Sequence, residues 1–68
     1  MKTGTLIRVK QDYKNLFITL FWDGVVKDYV GKNEVMMTLD SSDKDYHEVV
    51  TKGGVRGFVV KGYVESVE

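Results

Sequence analysis

The residue types that most often carry chemistry are gathered in one short stretch of this chain. Ser41 and Ser42 come just before His47, which is the only histidine in the sequence. Nearby carboxylates belong to Asp40, Asp43 and Asp45. A serine beside a histidine suggests a nucleophile and its base, and carboxylates beside a histidine suggest metal ligands.

Neither kind of chemistry has the rest of its residue set. A zinc or copper site needs three or four convergent ligands, and the chain has one His and no Cys. A calcium loop that began at Asp40 would need Gly at its sixth position and Glu at its twelfth, where Asp45 and Thr51 stand. No nucleophile-elbow pattern surrounds the serines. We therefore predict no catalytic residue, no metal site and no cofactor, and a structural role for His47.

The acidic stretch remains a candidate for recognition because charge is unevenly spread along the chain. Residues 1–33 carry six Lys/Arg and three Asp/Glu, whereas residues 34–50 carry one Lys and five acids. Two interpretations stay open: a patch that attracts a basic partner and repels phosphate, or a loop that is charged only for solubility.

The elements that must position these residues are strands. Short bursts of Val, Ile, Thr, Tyr and Phe follow a two-residue period between Gly- and Asp-rich breaks. Asp23-Gly24 predicts a type I′ hairpin turn, and Lys52-Gly53-Gly54 predicts a second turn. The predicted strands cover residues 5–10, 16–22, 25–30, 34–39, 46–51, 55–60 and 63–67.

Sixty-eight residues with 43% apolar side chains and no cysteine predict one small domain, residues 1–68, held together by apolar packing alone. No signal-type segment and no membrane span stand out, since the longest mainly apolar run is seven residues. We expect a cytoplasmic protein.

Seven short strands in this length favour a small, strongly bent barrel that hides its edges, of the SH3-like or OB type. The expected core is Val9, Ile18, Met36, Val49, Val59 and Val64.

The second half of the chain resembles a Src-homology-3 (SH3) domain. The likeness begins with an acid-apolar strand at residues 34–39 and a polar loop at 40–44. Asp45-Tyr46-His47 follows in place of an Asp-Trp-Trp step, then Gly53-Gly54 at the distal turn and a Gly-Phe-Val to Tyr-Val ending at residues 57–64. The first half keeps only Asp12-Tyr13 of the N-terminal motif and replaces the RT loop with a longer, more apolar hairpin. The resemblance implies an all-β, SH3-like barrel of five to seven short antiparallel strands.

The same resemblance implies a groove of aromatic side chains that binds proline-rich peptides, with nearby acids choosing a basic ligand residue. Tyr13 and Tyr63 are retained. Three other groove positions of the SH3 pattern are changed. Gln11 replaces the first Tyr, Tyr46 replaces the Trp and Val60 replaces the Pro. These changes favour a remodelled surface over polyproline binding in the usual way.

The predicted hairpin is apolar on both faces. Leu16, Ile18, Leu20 and Trp22 share one face, and Phe17, Thr19 and Phe21 share the other. Either the second face is a contact surface, or the hairpin folds back over an open end of the barrel.

These observations favour a non-enzymatic protein-interaction module whose protein partner is unknown, and a basic partner would fit the acidic patch. The SH3 resemblance also implies a likeness to small phage or bacterial proteins. The expected binding residues of the module are Tyr13, Phe21, Trp22, Asp43, Asp45, Tyr46 and Tyr63. The alternatives are a homo-oligomeric structural subunit and a nucleic-acid-binding barrel. Zero net charge and the acidic loop argue against nucleic acid, because backbone affinity requires a basic track.

Overall fold

The computed structural model describes residues 4–67, which form seven strands and one turn of 3-10 helix. The strands are β1 (Leu6–Val9), β2 (Phe17–Trp22), β3 (Val25–Gly31), β4 (Val35–Asp40), β5 (Tyr46–Thr51), β6 (Arg56–Val60) and β7 (Val64–Ser66). The 3-10 turn, Lys61–Tyr63, joins β6 to β7. All seven predicted strands are present, mostly within a residue of their expected ends. Tyr63, the predicted first residue of the last strand, belongs to the 3-10 turn instead, because the N–H of Val64 closes that turn on the carbonyl of Lys61.

The strands form one antiparallel sheet in the order β3-β2-β6-β5-β4-β1-β7. The predicted all-β fold of short antiparallel strands is confirmed. The expectation that the barrel hides its edges is not met, since β3 and β7 are the outermost strands and do not pair with each other. One reason is length, because β7 has only three residues and these pair with β1.

Local backbone preferences explain the two tight turns. Asp23 and Gly24 both have positive φ, at 54° and 76°, as a type I′ turn requires, and they join Trp22 directly to Val25. In the second turn Gly54 has φ 86°, and its N–H donates to the carbonyl of Thr51 at 2.9 Å. Both turn predictions are confirmed.

The core lies on the inner face of this bent sheet. Alternate residues of each strand supply it, as the two-residue period of a strand demands. All six predicted core residues are buried, and Ile7, Leu20 and Val30 complete the set. Among residues 4–67 there is no helix of the length and apolarity that crossing a bilayer would take.

Candidate interaction groove

Two tyrosines from opposite ends of the chain form one end of an aromatic groove. The rings of Tyr13 and Tyr63 lie 4.9 Å apart between centroids. Lys10 connects their backbones, because its N–H donates to the Tyr63 carbonyl at 2.9 Å and its carbonyl accepts the Tyr13 N–H at 3.1 Å. Asn15 Nδ2 donates to the Tyr13 hydroxyl at 3.2 Å. The 3-10 turn and the residues after β1 therefore hold this pair together.

The middle of the groove comes from strand pairs. Tyr46 of β5 is opposite Val60 of β6, and Phe21 of β2 is opposite Phe58 of β6. Directly opposite residues of antiparallel strands point to the same side of the sheet, so these four side chains share the face away from the core. This close pairing of β2 with β6 requires Gly57, since a Cβ there would lie 2.6 Å from the Phe21 carbonyl oxygen.

The groove consists of two adjoining cavities. The larger, about 660 Å³, is lined by the two tyrosines just described, by Phe21, Tyr46 and Val60, and by Leu16 and Phe17 of the hairpin. The second, about 460 Å³, shares Phe21 and Tyr46 and adds Phe58, Asp23 and Asp43. Among the described residues, two carboxylates and no Lys or Arg line these cavities. The surface is therefore aromatic along its length and acidic at one end.

The carboxylate of Asp43 is held in place by backbone donors. Its Oδ1 accepts the N–H of Asp45 at 2.8 Å and that of Tyr46 at 3.1 Å. Asp45 contributes differently from what was expected, because its side chain lines neither cavity. Its carbonyl accepts the N–H of Lys61 at 2.8 Å, which ties the acidic loop to the 3-10 turn.

Trp22 lines neither cavity of the groove, although it contacts the groove residue Phe58. Its indole stacks on Phe58 with centroids 5.7 Å apart, and the Arg56 guanidinium lies 6.0 Å from the indole centroid. The indole lines a separate cavity of about 420 Å³ with Lys27 and Val55. The structure thus brings five expected binding residues together at the groove and leaves two outside it. Inside are Tyr13, Phe21, Asp43, Tyr46 and Tyr63.

The hairpin leaves one of its faces uncovered. Ile18 and Leu20 of β2 are buried in the core, whereas Phe17 is 52% exposed and Phe21 is partly exposed. Phe17 meets Tyr29 of β3 edge to face, with centroids 5.3 Å apart. Of the two expectations for this hairpin, the structure shows the uncovered face, and part of that face lines the groove.

His47 is buried and forms a hydrogen-bonded pair with Ser41, at 2.7 Å between Nδ1 and Oγ. Lys61 Nζ donates to the Ser41 carbonyl at 2.9 Å. Burial, assisted by the nearby positive charge of Lys61, lowers the pKa of His47 from its ordinary value of 6.5. Beside this pair, the pKa of Asp40 is lowered by hydrogen bonds from the N–H and hydroxyl of Ser42.

These contacts tie the acidic loop to the elements on either side of it. The Ser41–His47 contact joins the start of the acidic loop to β5, and Lys61 joins it to the 3-10 turn. Within residues 4–67, no group of three or more His, Cys, Asp or Glu side chains is arranged to hold a metal ion.

Sequence reasoning missed Phe58 and Asp23 as groove residues. Phe58 alternates with the buried Gly57 and Val59 in β6, so its outward direction could be inferred. Its partner across β2 could not, because β2 and β6 are far apart in the sequence. The sequence identifies Asp23 only as a turn residue, and its place beside Asp43 in the second cavity depends on the pairing of β2 with β6.

Comparison with known proteins adds no relative. No protein-family model, curated protein or solved structure matches the chain.

Proposed function

We propose that this chain is a non-enzymatic, SH3-like protein-interaction module that binds an extended, basic segment of a partner protein. The observation that carries the proposal is the continuous groove that runs from Tyr13 and Tyr63 past Tyr46 to the acidic pocket at Asp23 and Asp43. Aromatic grooves of this kind bind extended peptides because rigid rings offer large apolar contact areas with little loss of side-chain freedom.

Charge selects the ligand. A Lys or Arg side chain that enters the acidic pocket would meet the Asp43 carboxylate and the faces of Phe21, Tyr46 and Phe58. Both contacts favour a cation, through charge-assisted hydrogen bonds and through the negative faces of the rings. The same carboxylates repel phosphate, so this groove disfavours nucleic acid.

The residues that differ from the SH3 pattern favour a ligand other than the usual proline-rich peptide. Val60 and Tyr46 occupy the positions where the SH3 resemblance has Pro and Trp, and the hairpin adds Leu16 and Phe17 to the wall. We propose that the groove binds apolar side chains that alternate with basic ones along an extended peptide. The cytoplasm, where a cysteine-free domain needs no oxidising environment, is the compartment we propose for it.

A displayed library of random linear peptides, selected on the intact protein, tests the proposal. The expected result is enrichment of peptides with Lys or Arg next to bulky apolar residues. Amide chemical-shift changes on adding one such peptide should centre on Tyr46, Phe58 and Tyr63. Enrichment of uncharged or acidic peptides, or shift changes centred on Leu6 and Met37 of the opposite region, would contradict it.

Matched variants separate binding from folding. Tyr46→Ala and Asp43→Asn should each weaken binding of the selected peptide. Met37→Ala should not, although Met37 is about as exposed as Tyr46, at 42% against 39%. The Asp43 variant should also lose the salt dependence that the charge contact brings.

A further inference from the structure

A third cavity lies beyond the acidic pocket, between the hairpin tip and the second turn. Its volume is about 420 Å³, and it is lined by Trp22, Lys27, Gly54, Val55 and Arg56. Among the described residues, two cations and no carboxylate line this cavity, whereas two carboxylates and no cation line the acidic pocket. The two cavities therefore favour ligand groups of opposite charge.

Strand β6 places the cavities in one row. Its outward residues Val60, Phe58 and Arg56 line the larger groove cavity, the acidic pocket and the third cavity, in that order. Alternate residues of a strand are about 6.6 Å apart, which is also the repeat of side chains on one face of an extended peptide. The indole of Trp22 stacks on Phe58 and so joins the third cavity to the acidic pocket. An extended segment that follows the groove along β6 therefore reaches the third cavity.

Arg56 is held in an orientation that leaves donors for a ligand. Its Nε donates to Glu48 Oε2 at 2.7 Å, and its guanidinium lies 6.0 Å from the centroid of the Trp22 indole. A guanidinium has five N–H donors in a fixed fork, so the contact through Nε leaves the two Nη atoms to bind a second carboxylate. The Arg56 side chain is 61% exposed, which gives a ligand access to it.

Lys27 supplies a second positive charge to the third cavity. It is exposed on β3, and with Arg56 it sets two cations against the carboxylate of Glu48, which does not line the cavity. Asp28 follows Lys27 in the chain but does not line the cavity either, and its Oδ1 accepts the N–H of Tyr29 at 2.8 Å. The charged side chains of the lining are therefore positive, and a ligand carboxylate complements them.

We propose that the third cavity binds an Asp or Glu side chain of the same partner segment whose Lys or Arg enters the acidic pocket. This inference rests on the function proposed above. It gives the ligand an order: an apolar residue, then a basic one, then an acidic one about two residues further along an extended chain. A segment displaced by one cavity would bring its cation against Arg56 and Lys27, so the third cavity also selects the register in which the segment binds.

The test begins with a peptide that was selected on the intact protein and carries one Lys or Arg. Versions of it carry Glu, Gln or Lys at each of the three positions on either side of that basic residue, and isothermal titration calorimetry gives the Kd of each. The expected result is a position about two residues away, on one side, where Glu binds about threefold to fivefold more tightly than Gln. Lys there should bind more weakly than Gln. Added salt should narrow the difference between Glu and Gln, because the charges are exposed.

Charge reversal in the cavity identifies the contact. In Lys27→Glu, the Glu version of the peptide should lose its advantage over the Gln version. Lys52→Glu is the matched control, because Lys52 is also exposed but lines a different cavity with Leu6 and Met37. It makes the same change in net charge and should keep the advantage of Glu. Lys27→Gln, which should narrow that advantage, replaces Lys27→Glu if circular dichroism shows that the charge-reversed variant is not folded.

Equal Kd values for Glu and Gln at every position would overturn the proposal, and so would a Lys27→Glu variant that keeps the full advantage of Glu. A Lys52→Glu variant that loses the advantage would assign it to net charge instead of the cavity. Asp43→Asn separates these results from a failure of the groove itself. If it weakens binding while the Glu and Gln versions bind equally, the groove stands and the third cavity is not part of it. If it leaves binding unchanged, the proposed function fails and this inference fails with it.

Discussion

Gly57 of β6 lies so close to Phe21 of β2 that a Cβ on Gly57 would be 2.6 Å from the carbonyl oxygen of Phe21. It would also lie 2.8 Å from Cγ of Leu20. Only glycine lets β6 approach the hairpin this closely, and this approach brings Phe21 beside Phe58 in the groove.

Gly57→Ala is therefore expected to destabilise the protein by about 1–3 kcal/mol, because the backbone oxygen cannot move aside without shifting β2. Chemical denaturation measures the change. Gly62→Ala is the control, since a Cβ at Gly62 has nothing within 4 Å and should leave the stability nearly unchanged. Equal stability of the two variants would contradict this expectation, because it would mean that β2 can shift away from the added Cβ without lowering the free energy of unfolding.

Val64→Ala should lower the free energy of unfolding by about 2 kcal/mol, because Val64 is buried at the start of β7 and the cavity can collapse only partly. Val25→Ala makes the same chemical change where the side chain is 66% exposed, and should cost less than about 0.5 kcal/mol. Denaturant midpoints report both. A Val64 variant as stable as the Val25 variant would mean that β7 adds little to the core.

Phe21→Ala and Trp22→Ala should differ, although the two residues are neighbours in the sequence. Phe21 lines both cavities of the groove, so its loss should weaken binding of a selected peptide by about 2 kcal/mol, roughly thirtyfold in Kd. Trp22 lines neither cavity and contacts the groove through Phe58, so its loss should weaken binding far less than the loss of Phe21.

Isothermal titration calorimetry measures both Kd values. It needs no fluorescence signal, which matters because the Trp22 variant lacks the only tryptophan of the chain. Stronger loss from the Trp22 variant would place the contact surface at the hairpin tip. A Phe21 variant that binds normally but melts many degrees lower would make Phe21 a core residue only.

Stability should fall as the pH drops below about 6.5, because the pKa of His47 is lower in the folded protein than its ordinary value of 6.5. The unfolded chain then binds the proton first. The stability that neutral His47 contributes is fully present above about pH 6.5. It is lost as the pH falls through the lowered pKa that His47 has in the folded protein. The lowered pKa of Asp40 acts separately, below its ordinary value of 3.8.

Urea unfolding at about pH 7 and about pH 5 detects this dependence. His47→Asn keeps an atom near the position of Nδ1 to bond Ser41 but cannot be protonated, so its stability should change less over that range. A wild type and a variant with the same pH dependence would show that other groups are responsible.

Much of the fold follows from local pattern. The two-residue alternation of apolar side chains predicts the strands and the buried residues. The Asp23-Gly24 pair predicts the hairpin turn, because both residues tolerate the positive φ that they adopt there. These features could be predicted because each depends on residues close together in the chain. The aromatic pair of Tyr13 and Tyr63 could be expected only from a resemblance, since fifty residues separate them.

What only the tertiary structure decided is which of the apolar and acidic side chains meet. Phe21 and Trp22 look equivalent in the sequence, but the pairing of β2 with β6 puts Phe21 in the groove and leaves Trp22 outside it. Contacts of this kind depend on strand order and register, which arise from packing of the whole chain rather than from the preferences of any one segment.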